Sequence, residues 1–93
     1  MTLRCVIVDD SDAFVEAART LLEREGLAVL GAAATSADAL RLVAELRPDV
    51  VLVDIDLGPE SGLELTRRLA RTAAPPVILV STYAEDDFAD LLA

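Results

Sequence analysis

The sequence predicts a small α/β fold, an open parallel sheet built from about four strand–helix units in a single domain. Uninterrupted β-branched and aliphatic runs recur at Leu3 to Val8, Leu27 to Leu30, Val50 to Val53 and Val77 to Val80. Such runs suit strands buried on both faces. Stretches with helical periodicity separate them, so the elements alternate strand, helix, strand, helix throughout. Cap and turn residues fall at the joints between the two patterns.

The helices are expected at roughly Ala13 to Glu25, Ser36 to Leu46 and Ser61 to Arg71, with a short start at Glu85 to Leu92. Gly26 follows the first helix as a C-terminal cap, Pro48 follows the second, and Pro75-Pro76 precedes the fourth strand. Ser36 stands where an N-cap is wanted, with Asp38 in the first turn, and Ser61 precedes Glu64 in a capping-box pattern. Phe14, Ala17, Ala18, Leu21 and Leu22 form one stripe on the first helix. Leu40, Val43, Ala44 and Arg47 form another on the second. Both stripes are predicted to pack on the sheet and to carry no chemistry.

Composition narrows the function classes. A chain of 93 residues supports one core. With 54% hydrophobic residues but only 3% aromatic, that core must be aliphatic and globular. Seventeen acidic against eight basic residues give a formal charge of -9, which opposes direct contact with nucleic-acid phosphate or an anionic membrane surface. Cys5 is the one cysteine, so no intramolecular disulfide forms. The first residues run straight into a strand without a basic leader, which predicts a cytoplasmic location. Charges interrupt every candidate membrane span.

Right-handed crossovers place the carboxyl ends of all the parallel strands along one edge of the sheet, where a ligand site is expected at the reversal of strand order. Acids collect there. The first strand ends in Asp9-Asp10, the third in Asp54 with Asp56 two residues on, and the fourth in Ser81-Thr82. A lone acid after a strand is usually a turn former or cap, which is the reading for Asp12 and Glu60. Asp9, Asp10 and Asp54 converge without a nearby basic residue in sequence. Two carboxylates about 4 Å apart repel by roughly 4 kcal/mol at an effective dielectric near 20. A bound cation relieves that, and hard oxygen ligands with open positions suit Mg2+. Asp56 serves through its side chain or through its backbone carbonyl. Ser81, better placed than Thr82, could hydrogen-bond a phosphoryl oxygen.

At this point the chain resembles the receiver domain of two-component response regulators. The resemblance lies in the opening strand running into Asp9-Asp10, in VVLVD ending at Asp54, in the loop DIDLGPESGLEL with Pro59 and Gly62, and in PPVILVST. It implies a flavodoxin-like (CheY-like) doubly wound sheet, truncated to about four units, so that residues 1–93 would be a receiver domain incomplete at its C-terminus. It also implies Asp54 as the phosphorylated nucleophile, Asp10 as a direct Mg2+ ligand, Asp9 as a helper of the metal site, Asp56 as a ligand through its carbonyl, and Ser81 as the switch hydroxyl. The partners it implies are a sensor histidine kinase and an output domain absent from this chain, through which alone DNA would be reached.

Two departures from the family pattern stand out. Proline falls at Pro59, one residue after its usual place, which Gly58 occupies. The family's fifth strand with its lysine, and its fifth helix, have no counterpart. The expected consequences are Mg2+ binding with weak phosphorylation, and dimerisation through the exposed edge of the Val77–Val80 strand or rearrangement of the last helix over it. Two other readings compete. One is a receiver-like interaction module that is never phosphorylated. The other starts from Asp54-Ile55-Asp56, which resembles the nucleophile loop of haloacid-dehalogenase-type phosphatases, although that class needs downstream elements not found here.

Overall fold

The computed structural model describes residues 2–72 and 75–80. In chain order these form β1 (Arg4–Val8), α1 (Asp12–Arg24), β2 (Ala28–Ala33), α2 (Ser36–Leu46), β3 (Val50–Asp54), β4 (Asp56–Leu57), β5 (Glu60–Ser61), α3 (Gly62–Ala70) and β6 (Val77–Val80). Four strands make a parallel sheet in the order β2-β1-β3-β6, and β4 and β5 pair as a separate antiparallel ribbon. The predicted α/β class and parallel sheet are therefore observed. The helix expected at Glu85 to Leu92 lies outside the described residues, as do Ser81 and Thr82.

Burial on both faces holds for β1, whereas β3 is buried on its core face with Val50 and Leu52 half-buried on the other. Cys5 to Val8 of β1 are at most 1% exposed, and Val51 and Val53 are fully buried. Strand side chains alternate between faces. Val6, Val8, Val51 and Val53 accordingly join Ala39 and Val43 of α2 and Leu65 and Leu69 of α3 in one aliphatic core. Cys5 and Ile7 fill the opposite face of the sheet. The strand β6 departs from the expectation, with Ile78 53% and Leu79 37% exposed. It ends the sheet and has a strand neighbour on one side only among the described residues.

The helix termini follow from their caps. α1 begins at Ser11, whose hydroxyl accepts from the Phe14 N–H. Its C-cap is Glu25, and Gly26 just beyond it adopts a φ of 91°, which lets the Gly26 and Leu27 N–H groups bond back to Glu23 and Leu22. Ser61 caps α3 as predicted, accepting from the Glu64 N–H at 3.3 Å. For α2 the cap is Thr35, not Ser36. Thr35 is extended (φ -131°) and its hydroxyl accepts from the Asp38 N–H, whereas Ser36 is already helical and buried. The apolar stripes also sit slightly off their expected faces. Val15 is the buried residue of α1, while Ala17 and Leu21 are exposed. On α2, Ala39 and Val43 are buried, while Ala44 and Arg47 are exposed.

β2 runs three residues beyond the predicted end at Leu30. A register shift between Cys5 and Val6 of β1 lets Gly31, Ala32 and Ala33 continue the pairing. That extension brings the Ala33 carbonyl to the Asp9 N–H at 2.9 Å, fixing the exit of β1 toward the site.

Candidate functional site

The register of the central strands brings the acids together. Ile7 pairs with Leu52 and Val8 with Val53, so one step further along the same ladder Asp9 stands beside Asp54. Both project on the Ile7 and Leu52 face, because side chains alternate along each strand. Asp10 follows at the mouth. Carboxylate oxygens of Asp9, Asp10 and Asp54 all lie within 4.8 Å of one another. The place is the carboxyl edge of the sheet between β1 and β3, where the strand order reverses.

The environment is costly for charge. Asp9 is 4% and Asp54 5% exposed, and Asp9 Oδ2 is buried without a hydrogen-bond partner among the described residues. Its other oxygen, Oδ1, accepts from the Ser11 N–H at 2.8 Å. Burial is the main cause that pushes the Asp9 carboxyl above its ordinary value. The neighbouring Asp54 adds to the rise, and the Ser11 N–H works against it. At a separation of 4.8 Å, two ionised carboxylates repel by about 3 to 4 kcal/mol at an effective dielectric near 20. Among the described residues no arginine forms an ion pair with any of the three.

The loop after Asp54 forms the third wall of an open cavity of about 180 Å³ lined by Asp9, Asp10, Ser11, Asp54, Asp56 and Gly58. The Asp56 N–H donates to Asp54 Oδ1 at 3.2 Å, and the Asp56 carboxylate accepts from the Gly58 N–H at 3.2 Å. The Asp56 side chain is thus engaged in its own turn and stands apart from the three converging carboxylates. Gly58 adopts φ 70°, which proline cannot reach, and a Cβ there would lie 2.9 Å from Asp10 Oδ2. The displaced proline therefore has a structural reason. Glycine makes the turn against Asp10, and Pro59 follows it.

Gly62 closes the arrangement from behind. A Cβ on it would fall 1.9 Å from the Asp54 carbonyl oxygen, and its N–H donates to the Ile55 carbonyl at 2.8 Å. The start of α3 is thereby seated directly on the end of β3. Val80 pairs with Asp54 and its carbonyl accepts from the Ile55 N–H. Ser81, the next residue, lies outside the described residues.

Sequence reasoning missed the ribbon of β4 and β5 and the partner of Glu60. Leu57 is 1% exposed and anchors the ribbon in the core. Glu60 is not a simple turn former, since its Oε1 accepts from the Ser36 N–H at 3.1 Å at the start of α2. Its acidic type beside a glycine-proline turn was the only available signal, and the partner is 24 residues away.

Known proteins share this architecture. Residues 5–92 match the family described as Response regulator receiver domain. The chain is 40% identical over 86 residues to the response regulator GacA of Pseudomonas aeruginosa, covering 91% of this chain and 40% of that protein. It is 42% identical over 86 residues to a protein-glutamate methylesterase/protein-glutamine glutaminase of Myxococcus xanthus, covering 90% of this chain and 25% of that one. It thus spans well under half the length of these relatives. Among solved structures, a LuxR-family two-component response regulator from Aurantimonas sp. SI85-9A1 superposes with a TM-score of 0.83 at 34% identity, over 96% of this chain and 65% of that one. The signal receiver domain of a modulated diguanylate cyclase from Desulfovibrio desulfuricans G20 gives 0.82 at 32%, over 97% and 73%. Fold, strand-end acids and family match agree, and the chain belongs to the response regulator receiver domain family.

Proposed function

We propose that this chain receives a phosphoryl group from a sensor histidine kinase on a carboxylate oxygen of Asp54, with Mg2+ in the acidic cavity. The observation that carries the reading is the convergence of three carboxylates around a buried Asp9 oxygen that has no hydrogen-bond partner among the described residues. The donor set fits the ion. All candidate ligands are hard oxygens, and the cavity is open enough to leave coordination positions for water and phosphate. Asp10 and Asp54 would hold it directly, Asp9 would support it, and the Asp56 carbonyl would complete the protein's share. When bound, Mg2+ offsets negative charge on the transferring group.

The residues of the chain do the rest. The Asp56 N–H holds Asp54 Oδ1, leaving the other oxygen of Asp54 for in-line attack on phosphorus. Attack forms the bond from that oxygen to phosphorus as the bond to the donor breaks, and the donor leaves with its electron pair. The ribbon after Asp54 walls one side of the cavity, and Ser81 supplies the phosphoryl-binding hydroxyl. The protein is read as a phosphoacceptor with self-catalysed turnover of its own aspartyl phosphate, not as an enzyme acting on an external substrate.

The same reading places the chain in the cytoplasm, with residues 1–93 acting as one receiver domain and any DNA contact made by an output domain. Among the described residues no helix is long and apolar enough to cross a membrane. The exposed Ile78 and Leu79 on the end strand support a second contact, pairing of β6 with another copy of the chain. Light scattering across a concentration series checks this, and a monomer throughout would remove it. The metal reading is tested by thermal shift with Mg2+ on the wild type, Asp10→Asn and Asp54→Asn. The wild type should be stabilised and both variants should respond less; equal responses in all three would remove the site.

A further inference from the structure

We infer that Glu60 is a positioning residue of the metal site, holding the loop that carries Asp56 by clamping it to the N-terminus of α2; this rests on the Mg2+ reading above. The ribbon that follows Asp54 is very short, with Asp56 paired to Ser61 and Leu57 to Glu60 across the Gly58-Pro59 turn. Two residues per strand cannot hold a fixed place alone. It is anchored at three points. Leu57 is buried in the core, the Gly62 N–H ties its far end to Ile55, and Glu60 Oε1 accepts from the Ser36 N–H at 3.1 Å.

The third anchor joins separate elements. The Ser36 N–H is one of the unpaired donors at the start of α2. The Thr35 hydroxyl serves the Asp38 N–H, and Thr35 does not serve Ser36. Ser36 is 5% exposed, so water is a poor substitute for the carboxylate. A charged acceptor at a helix N-terminus is favourable, and a charge-assisted bond of this kind is stronger than a neutral one. Glu60 stands directly across from Leu57, the neighbour of Asp56. Releasing it frees the turn end of the ribbon, where Leu57 pairs with Glu60, and so loosens the Asp56–Leu57 peptide that carries the Asp56 carbonyl. Because coupling is reciprocal, Mg2+ in the cavity tightens the Glu60 to Ser36 bond.

Calorimetric Mg2+ titration of the wild type, Glu60→Gln, Glu60→Ala and Ser36→Pro tests this, together with exchange of the Ser36 amide by NMR with and without Mg2+. Ser36→Pro removes the donor from the helix side while keeping Glu60. Proline suits the first helical position, and the extended Thr35 before it is compatible. It keeps the test standing if Glu60→Ala fails to fold. Glu60→Gln retains a neutral acceptor and should fall between the wild type and Glu60→Ala. Glu60→Ala and Ser36→Pro should each weaken Mg2+ binding about tenfold, the usual scale for a residue that orients a metal ligand. The double variant should be no weaker than either single one, and Mg2+ should slow Ser36 amide exchange in the wild type. If Glu60→Gln behaves like Glu60→Ala, charge and not the bond is responsible, and the inference is overturned. Wild-type affinity in Glu60→Ala, or additive losses in the double variant, overturns it while leaving the Mg2+ reading intact. A wild type that binds no Mg2+ overturns both.

Discussion

Replacing Gly62 with alanine is the sharpest stability test of how this site is held. The added Cβ would meet the Asp54 carbonyl oxygen at 1.9 Å, the Asp54 carbonyl carbon at 2.8 Å and Ile55 Cα at 2.9 Å, all of them backbone atoms. An ordinary carbon–oxygen contact is about 3.3 Å, so α3 and the end of β3 must separate by roughly 1.4 Å. The Gly62 to Ile55 hydrogen bond, 2.8 Å in the native arrangement, then passes out of range. Losing that bond costs about 1 kcal/mol, and overpacking adds about 1 to 3 kcal/mol. Alanine's better helix propensity returns at most about 1 kcal/mol. With that return taken in full the net loss is about 1 to 3 kcal/mol, a fall in Tm of roughly 4 to 24 °C for a domain of this size. Two other glycines calibrate the measurement. A Cβ on Gly31 meets only Leu42 and Leu46 side chains at 3.7 Å, so Gly31→Ala should be neutral or stabilising. Gly26→Ala has open space but a φ of 91°, and should cost about 1 to 2 kcal/mol. Thermal unfolding of the three variants ranks them. Gly62→Ala melting with Gly31→Ala would refute the reasoning.

Further outcomes follow from the same geometry. Asp9→Asn should raise the thermal midpoint of the metal-free protein at neutral pH, since it removes a buried like charge beside Asp54. The Asp9 carboxyl binds its proton more tightly folded than unfolded, so its contribution to stability falls as pH rises from the ordinary carboxylate range through its folded pKa. Unfolding in chelator across that range should show a shallower decline for Asp9→Asn, and parallel curves would contradict the burial argument. Gly58→Pro cannot keep φ 70° and should lower Mg2+ affinity in calorimetry by displacing the turn from Asp10; unchanged affinity would show that the turn does not shape the cavity. Leu65→Ala, at a fully buried position on the core face of α3, should cost about 2 to 5 kcal/mol in denaturant unfolding.

Much of the fold was legible because its signals are local. The apolar runs of β1 and β3 read as doubly buried strands; β1 is, and β3 is buried on its core face with Val50 and Leu52 half-buried on the other. The span of α2 is the one its periodicity marks, and Ser61 caps α3 because its spacing to Glu64 admits the cap geometry. Errors arose where two solutions share a pattern. Thr35 and Ser36 both precede an acid in the first turn, and only backbone conformation decides which one caps. The extension of β2 through Gly31-Ala32-Ala33 carries no β propensity and depends on pairing with β1. Exposure of Ile78 and Leu79 depends on the place of β6 at the end of the sheet among the described residues, which a four-residue apolar run does not encode.

The candidate site was legible in type and partly in geometry. Asp9, Asp10 and Asp54 could be placed together from parallel topology alone, and the register explains why Asp9 is the one beside Asp54. What the sequence could not express were close approaches between distant segments. These are the bond from Glu60 to Ser36, the Gly58 turn against Asp10, and Gly62 against the Asp54 carbonyl. Each is a single contact without periodicity.

The central claim is that Asp54 accepts a phosphoryl group in a Mg2+-dependent reaction. Intact-mass analysis after incubation with acetyl phosphate tests it most directly, using the wild type with Mg2+, the wild type with chelator, and Asp54→Asn with Mg2+. A fraction carrying one added phosphoryl group is predicted in the first sample alone. An unmodified wild type, or equal modification of Asp54→Asn, would contradict it.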